Sequence, residues 1–412
     1  MAVLPDELLL PILRGLLWPD HHALQQTSRH LRDAVRALLL PQPWRHVTTG
    51  ARGIVGHRDV MCLAVNGDLA VAGGRIERHG GSQPFGDLTL WNWRNRKPLD
   101  CVPLNHQVLH VAVHAPSGMV AAVFGGQPAT TGQAGGVLQT IPAKPPQVQL
   151  WRQAGTELRS CGPPHELDTG GYTNQANLAV VACSGRTFLC FSLAQLEPQP
   201  CQLALYEFCH PLELHSEVSS GVSPAALGGH LLASDGDATV AHATGGMLCV
   251  WKAQAVGERV RLQGQVTVCT DFLLQSGMFS NRCNIGAVSV GTGCVAASAG
   301  HEVRSEVRVW HIATCGLLAT FRADHHVDSL ALRMDWGLLL CGGKADGSII
   351  LYAIDSQATT PPAKVGMLSG HRGAVTSIAM LDERVLLSGS LSHDGARSLL
   401  RSDMPMRMSL GE

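Results

Sequence analysis

Asp87-Leu88-Thr89-Leu90-Trp91 is a short, mostly apolar tract that closes on an aromatic residue, and this tract returns along the chain. A seventh and weakest copy, Ser398-Leu399-Leu400-Arg401, has no aromatic residue. Recurrence of this kind is typical of one supersecondary unit that is stacked many times. Six copies end on an aromatic side chain: Trp91, Trp151, Phe191, Trp251, Trp310 and Tyr352.

The residues before each tract follow a common order. In the last repeat Gly370-His371 precedes the apolar run 375–380 and the small-residue run 386–390, and the sixth repeat adds the turn Ala345-Asp346-Gly347. These runs are too short for helices and are bounded by Gly and Asp, so they are predicted to be buried strands. The order of Gly-His, strand, small-residue strand, Asp-Gly turn and strand ending in Trp resembles the WD-repeat family. That resemblance implies a mainly β fold, a seven-bladed β-propeller.

The spacing of the aromatic residues predicts insertions, because WD repeats run roughly 40–45 residues. Phe191 follows Trp151 by 40 residues and Tyr352 follows Trp310 by 42, whereas the other three intervals between aromatic residues are 59 or 60. Insertions in a propeller fall on its loop rims, where binding residues concentrate; length drift without function is the alternative. Predicted insertions are Arg75 to Gly86, Gly125 to Pro146, Ser216 to Gly229 and Gln275 to Asn284.

The tract from Gly125 to Pro146 is the plainest of these insertions. It has no alternating apolar pattern and almost no charge. Such a composition cannot supply a packed face, so we predict an exposed, mobile loop.

Composition excludes several classes of function. The net charge is −1 and the pI is near 7, so no broad electrostatic attraction to nucleic acid or acidic membrane is expected. The 13 cysteines are scattered without a CxxC pair, which is typical of reduced thiols in a cytoplasmic or nuclear protein. No apolar run reaches the roughly 18 residues that a membrane-spanning helix needs.

Residues 1–40 differ in character from the rest of the chain. Asp6 and Glu7 stand where a signal peptide would carry basic residues, so the leucine-rich start is not interpreted as a signal peptide. Asp20 and Ser28 are suitable N-caps, and apolar residues recur at helical spacing after Ser28. We therefore predict a pair or triple of short helices.

The same residues resemble an F-box. The matching elements are the opening Leu4-Pro5-Asp6-Glu7-Leu8, the pair Ile12-Leu13 and the later run 28–32, Ser-Arg-His-Leu-Arg. The family's helical module binds the Skp-type adaptor of a cullin–RING ubiquitin ligase. Pro11 and Leu31 depart from the family pattern, and a helical cap that packs on the propeller and binds no adaptor is the alternative. The resemblance implies adaptor binding by Leu4, Pro5, Leu8, Ile12, Leu13, Leu16 and Leu24.

These resemblances predict a domain order. Residues 1–40 form the F-box-like domain, 41–55 a linker with a closing outer strand, 56–401 the propeller and 402–412 a disordered tail. The outer strand of each repeat normally precedes its Gly-His. Residues 45–49 are therefore expected to pair with the last repeat, which removes an open sheet edge.

Polar residues of the repeats are interpreted as structural. By resemblance, His57, His325 and His371 belong to a hydrogen-bond network that reaches toward a strand aromatic and satisfies buried polar groups. The adjacent pair His21-His22 and the pair His110 and His114 lack the spacing of a metal site. We expect no catalytic residues, no metal and no cofactor.

Basic residues near the predicted loops are candidates for a binding rim, because Arg grips phosphate or carboxylate in a forked manner. Ordinary solvated side chains are the alternative. The candidates are Arg58, Arg75, Arg78, Arg304, Lys344 and Arg372.

Together these patterns predict a non-catalytic, substrate-recruiting subunit of an SCF-type E3 ubiquitin ligase. Its F-box would dock the Skp-type adaptor and, through it, the cullin–RING ligase, and its propeller would bind a protein substrate. A WD-repeat scaffold with no ubiquitin role is one alternative. A propeller enzyme is the other, and it would need a convergent polar cluster at a mouth of the channel.

Overall fold

The structure is a computed structural model, and the part of the chain that it describes is almost entirely β. No α-helix occurs in that part, and the predicted helices of residues 1–40 lie outside it. The described residues are 45–48, 58–76, 85–94, 97–124, 130–134, 137–141, 145–167, 176–193, 202–219, 230–244, 247–269, 285–301, 304–343, 347–354, 361–371, 373–380, 385–391 and 399–403.

In the described residues, all strands except two form seven antiparallel sheets of four or five strands, numbered here along the chain. The strand β1 (Arg45–Thr48) precedes all of them and belongs to the last. Sheet 1 contains β2 (Arg58–Asn66), β3 (Leu69–Ile76), β4 (Phe85–Asn92) and β5 (Lys97–Leu104). Sheet 2 contains β6 (Val108–His114), β7 (Met119–Phe124), β10 (Gln147–Ala154), β11 (Glu157–Ser160) and β12 (His165–Glu166). Sheet 3 contains β13 (Ala176–Cys183), β14 (Arg186–Leu193), β15 (Gln202–Glu207) and β16 (Leu214–Ser219).

The remaining sheets have the same order of strands. Sheet 4 contains β17 (His230–Ser234), β18 (Thr239–Thr244), β19 (Met247–Val256) and β20 (Arg259–Cys269). Sheet 5 contains β21 (Ile285–Gly291), β22 (Cys294–His301), β23 (Arg304–His311) and β24 (Leu317–Arg322). Sheet 6 contains β25 (Val327–Arg333), β26 (Leu338–Gly343), β27 (Ile349–Ala353) and β28 (Ala363–Leu368). Sheet 7 contains β29 (Val375–Met380), β30 (Val385–Ser390), β31 (Leu399–Asp403) and β1.

Burial along the strands explains why these segments form sheets. The second strands β7 and β26 are buried at every residue, and both are continuous apolar runs. The outer strand β11 alternates instead, with Leu158 buried between exposed neighbours. A strand covered on both faces is apolar throughout, whereas an edge strand covered on one face alternates. The core therefore lies between neighbouring sheets.

The sheets form a closed ring. Their first strands contact one another in the order β2, β6, β13, β17, β21, β25 and β29, and β29 contacts β2. Between sheets 7 and 1, Thr376 Oγ1 donates a hydrogen bond to the Val60 carbonyl, 2.7 Å away. Val60 also packs over Gly389, where an added Cβ would lie only 2.4 Å from Val60 Cγ1. Only glycine permits this close approach.

The predicted pairing of the N-terminal strand with the last repeat is confirmed over residues 45–48. In that ladder Arg45 faces Asp403 and Thr48 faces Leu400. Strand β31 ends at Asp403, two residues beyond the predicted end of the propeller at 401. Because β1 is contributed from the opposite end of the chain, the ring is closed by hydrogen bonds between the two ends.

One repeat was assigned to the wrong aromatic residue. Phe191 lies in β14, the second strand of sheet 3, whereas Trp91, Trp251 and Trp310 lie in third strands. The third strand of sheet 3 is β15, and the ladder shifts at Tyr206 as it does at Trp91 and Trp310. Tyr206 is 8% exposed and occupies the position in its third strand that Trp91 and Trp310 occupy in theirs, called here the anchor position. The intervals around it become 55 and 45 residues, so the spacing is more even than predicted.

The ring has two rims, which we define by the direction of the first strands. At the upper rim the first strands begin, and there the chain passes from second to third strands and from one sheet to the next. At the lower rim the first strands end, and there it passes from first to second and from third to fourth strands. Several lower-rim turns are tight: Gly67-Asp68, Ser184-Gly185, Gly257-Glu258 and the 3-10 turns Ala115–Ser117 and Met334–Trp336.

The strand ends that flank all four predicted insertions lie at the upper rim. Residues 216–219 belong to β16, so the third insertion begins later than predicted. Arg75 and Gly86 themselves belong to β3 and β4, so the first insertion is shorter than predicted. The tract from Gly125 to Pro146 was expected to be a loop, but it contains a hairpin of β8 (Thr130–Ala134) and β9 (Val137–Ile141). Within the described residues this hairpin pairs with no other strand.

Candidate functional site

The six predicted basic residues are associated with one rim. Arg58 begins β2, Arg75 lies in β3 and Arg304 begins β23, all at the upper rim. Arg75 and Arg304 were predicted to lie in strand-connecting loops, and that placement is wrong because both belong to strands. Arg78, Lys344 and Arg372 lie outside the described residues, and the strands that flank them end and begin at the upper rim.

Arg75 is engaged within sheet 1. Its NH2 lies 2.9 Å from Asp59 Oδ2, and the two residues are cross-strand partners. The side chains are 29% and 12% exposed, so this is a partly buried ion pair. Arg304 is exposed. Arg304 is therefore better placed than Arg75 to bind an external anion, because the charge of Arg75 already has a carboxylate partner.

One of the predicted repeat histidines, His371, makes a buried contact at the upper rim. His371 is 7% exposed, and its Nε2 lies 2.7 Å from the Ser388 hydroxyl on β30. The predicted structural role is retained, but this contact is to a hydroxyl and not to an aromatic residue. His242 makes a similar buried contact of 3.0 Å with the Ser192 hydroxyl of the neighbouring sheet. His57 and Asp346 lie outside the described residues.

His110 and His114 lie on the same first strand but have separate partners. Burial lowers the pKa of His110 to about 4, and a hydrogen bond with Asn177 of the neighbouring first strand opposes that shift. His114 lies at the other end of β6, where Nδ1 is 2.7 Å from the Ser117 hydroxyl and Nε2 is 3.1 Å from the Thr187 hydroxyl. These hydroxyl contacts hold both nitrogens of the His114 ring.

A cluster that sequence reasoning missed lies at the lower rim of sheet 3. Arg186 Nε lies 2.9 Å from Glu207 Oε1, and Arg186 NH2 contacts Glu207 Oε2. The same NH2 lies 3.1 Å from His215 Nε2. Hydrogen bonding to Arg186 holds the pKa of Glu207 below its ordinary value. Glu213 completes a group whose carboxylate and imidazole atoms lie within 4.8 Å of one another.

A weak sequence signal for this cluster existed. Glu213 and His215 are two residues apart, the spacing at which extended residues share one face. Glu207 and Arg186 come from two other strands, and only the register of β14, β15 and β16 brings them to the same place.

Across the described residues, no helix has the length and apolar character needed to cross a membrane.

Comparisons with known proteins bear on the fold. No protein-family model matches the chain, and no curated protein matches it. It is similar to a chain solved in the "Crystal Structure of Mitotic Checkpoint Complex", with 14% identity, a TM-score of 0.56, and coverage of 89% of this chain and 92% of that one. It also matches Sqt1 of Saccharomyces cerevisiae, with 10% identity, a TM-score of 0.49, and coverage of 89% and 99%. Both are WD40-type propeller proteins, and the first likeness shows that this chain has the fold of a WD-repeat β-propeller.

Proposed function

We propose that the chain is a seven-bladed WD-repeat propeller that acts as a non-catalytic recruiting subunit of an SCF-type E3 ubiquitin ligase. Residues 1–40 dock the Skp-type adaptor and through it the cullin–RING ligase, and the upper rim binds a protein substrate. The seven sheets and the ring of contacts between their first strands support the blade number. WD40-type propellers suggest a scaffold for protein interactions, which is the general part of the proposal.

The observation that carries the binding role is the difference between the rims. The upper rim combines the longest connections with Arg58, Arg304 and the buried contact between His371 and Ser388. Variable loops on a rigid scaffold are where binding residues concentrate. The lower rim has tighter turns, which leave less chain to shape around a partner.

The path of the N-terminus supports a division of labour. Arg45 pairs with Asp403 at the lower-rim end of β31, so the chain enters sheet 7 from the lower rim. Strand β1 then runs toward the upper rim, where β2 begins. The first described residue, Arg45, therefore lies at the rim opposite the upper rim. A partner held by the N-terminal segment would leave the upper rim free.

The ubiquitin part of the proposal rests on the sequence resemblance at residues 4–32, which lie outside the described residues. A propeller scaffold without a ubiquitin role is the alternative. The two differ in one property, namely whether the N-terminal segment retains a Skp-type adaptor.

The test is adaptor capture by the full chain carrying Leu4→Ala and Pro5→Ala together. We expect the double variant to lose a purified Skp-type adaptor–cullin complex while its thermal unfolding stays unchanged, because the substituted residues contact the partner and not the propeller. Arg36→Ala changes the same segment outside the implied contact residues and should retain capture. Capture that survives the double substitution, or no capture by the unaltered chain, contradicts the SCF role. A fall in propeller stability without any capture supports the helical cap.

A further inference from the structure

The turn after β15 gathers three potential metal ligands at the lower rim of sheet 3. Glu207 ends β15, Glu213 directly precedes β16, and His215 is the second residue of β16. The Glu207 amide donates to the Glu213 carbonyl across 2.9 Å, which holds the two chain segments together. Their ligand atoms lie within 4.8 Å of one another. Groups at this spacing could hold one metal ion once the side chains close in on it.

A guanidinium group now serves as the cation of this cluster. Arg186 makes two contacts with the Glu207 carboxylate, and its NH1 donates to the Glu258 carbonyl at 3.0 Å. The Arg186 side chain is 37% exposed, so it has room to swing toward solvent. One positive charge therefore faces two carboxylates and an imidazole. The surrounding charge favours a cation at this position.

His215 is already positioned as a potential metal ligand, and one of its ring nitrogens forms no hydrogen bond with the described residues. Its side chain is 8% exposed, its Nε2 lies 3.3 Å from Glu207 Oε2, and its buried Nδ1 has no hydrogen-bond partner among the described residues. The same Nε2 lies 3.1 Å from Arg186 NH2, so it sits between the carboxylate and the guanidinium of this cluster. An imidazole nitrogen with a free lone pair is the form that binds a metal.

We propose that Glu207, Glu213 and His215 form a binding site for a divalent transition metal, with Zn²⁺ the best fit, in competition with the Arg186 guanidinium. Zinc accepts carboxylate oxygen and imidazole nitrogen together, whereas Ca²⁺ and Mg²⁺ prefer oxygen ligands alone. A divalent ion would place twice the charge of Arg186 between the same two carboxylates. The site is separate from the upper rim, and it does not depend on the ubiquitin role.

The test is a titration of the full chain with Zn²⁺, monitored by calorimetry, in matched variants. Arg186→Ala removes the competing cation and should tighten zinc binding about tenfold. His215→Ala removes a ligand and should weaken it at least about tenfold. A purely structural ion pair predicts no gain in zinc affinity on loss of Arg186. Arg308→Ala breaks a comparable pair with Glu306 on sheet 5, where Nε and Oε1 are 2.6 Å apart, and should leave zinc binding unchanged.

The chain contains 20 histidines and 13 cysteines, so Co²⁺ is used as a second probe to identify the ligands. A site of carboxylates and imidazole gives no thiolate-to-cobalt charge-transfer band, and any such band that His215→Ala abolishes would overturn the proposal. Arg186→Gln keeps an aliphatic stem and a polar end group but removes the charge. It is used in place of Arg186→Ala if that variant fails to fold. Zinc affinity that does not rise in either Arg186 variant, or does not fall in folded His215→Ala, overturns the proposal.

Discussion

The two rims of this propeller are built differently although the same strands join them. The lower rim turns in two residues at Gly67-Asp68, Ser184-Gly185 and Gly257-Glu258. The upper rim contains all four predicted insertions, including the hairpin of β8 and β9. Long surface connections reduce the free energy of unfolding only slightly, because the entropy cost of loop closure grows slowly with length. The upper rim can therefore diverge in shape while the packing between sheets holds the ring.

The anchor aromatics show the same asymmetry. Trp91 and Trp310 lie toward the lower-rim ends of their third strands and are at most 5% exposed. Near the upper rim, contacts between sheets use small residues instead, such as Gly73 beneath Val108 and Gly389 beneath Val60. Large side chains fill the space between neighbouring sheets near the lower rim. Near the upper rim the backbones of neighbouring sheets approach each other closely. Stability is therefore expected to depend more on the lower half of the ring.

The largest expected effect is at Trp310, which belongs to the same buried apolar cluster as Leu248 and Val250 of the neighbouring sheet. Trp310→Ala should lower the free energy of unfolding by about 4 kcal/mol, because it leaves a large cavity between sheets 4 and 5. Leu317 is its ladder partner but is 48% exposed, so Leu317→Ala is the matched control and should cost far less. Urea unfolding measures both. Equal losses would contradict the asymmetry.

A smaller effect is expected from the lower-rim ion pair. Hydrogen bonding to Arg186 depresses the pKa of Glu207 in the folded state. Its contribution is therefore present above the unfolded-state pKa and is lost as the pH falls through the lowered folded value. Glu207→Gln should cost about 1 kcal/mol at pH 7, and its difference from the unaltered chain should shrink as the pH falls through the lowered folded-state pKa.

The control for this pH series is Glu157→Gln. Glu157 forms a pair with Arg159 in which both side chains are well exposed, 66% and 72%, so its substitution should change stability little at any pH. Denaturant unfolding at several pH values separates the two variants. A Glu207→Gln difference that stays constant with pH would show that the ion pair does not supply the stabilisation.

The smallest effect is expected at the upper rim. Residues 127–143 can be replaced by a short Gly-Ser turn, because Phe124 and Gln147 are already ladder partners. Pro146 is kept, since its carbonyl accepts a hydrogen bond from the Leu167 amide at 2.9 Å. Thermal unfolding should change by no more than about 0.5 kcal/mol, as for other surface changes away from packing. A loss several times larger would mean that the hairpin is part of the packed ring.

Prediction from sequence succeeded where a local pattern repeats. The pairing of β1 with β31 followed from the order of strands in every repeat, and it is present from Arg45 to Thr48. Prediction was wrong at Phe191, because an apolar tract ending on an aromatic fits the second strand of sheet 3 as well as the third. Only the ladder partners show that Tyr206 holds the anchor position.

The candidate site was predicted less completely than the fold. The resemblance to WD repeats led to a rim of basic residues, and the described members, Arg58, Arg75 and Arg304, do lie at the upper rim. The partner of Arg75 was not foreseen, although Asp59 lies on the adjacent strand. A one-residue shift of register would have placed that carboxylate on the other face of the sheet.

The sequence by itself determined the repeated strand pattern, the mainly β class and the closure of the ring by its two ends, because these follow from periodicity and from the order of short motifs. The tertiary structure decided which charges meet. Arg186, Glu207 and His215 come from three strands, and their contact depends on ladder register and on the turn from 208 to 213. Periodicity sets which face a side chain occupies, but register sets which side chain lies opposite, and register becomes definite only when whole strands pair.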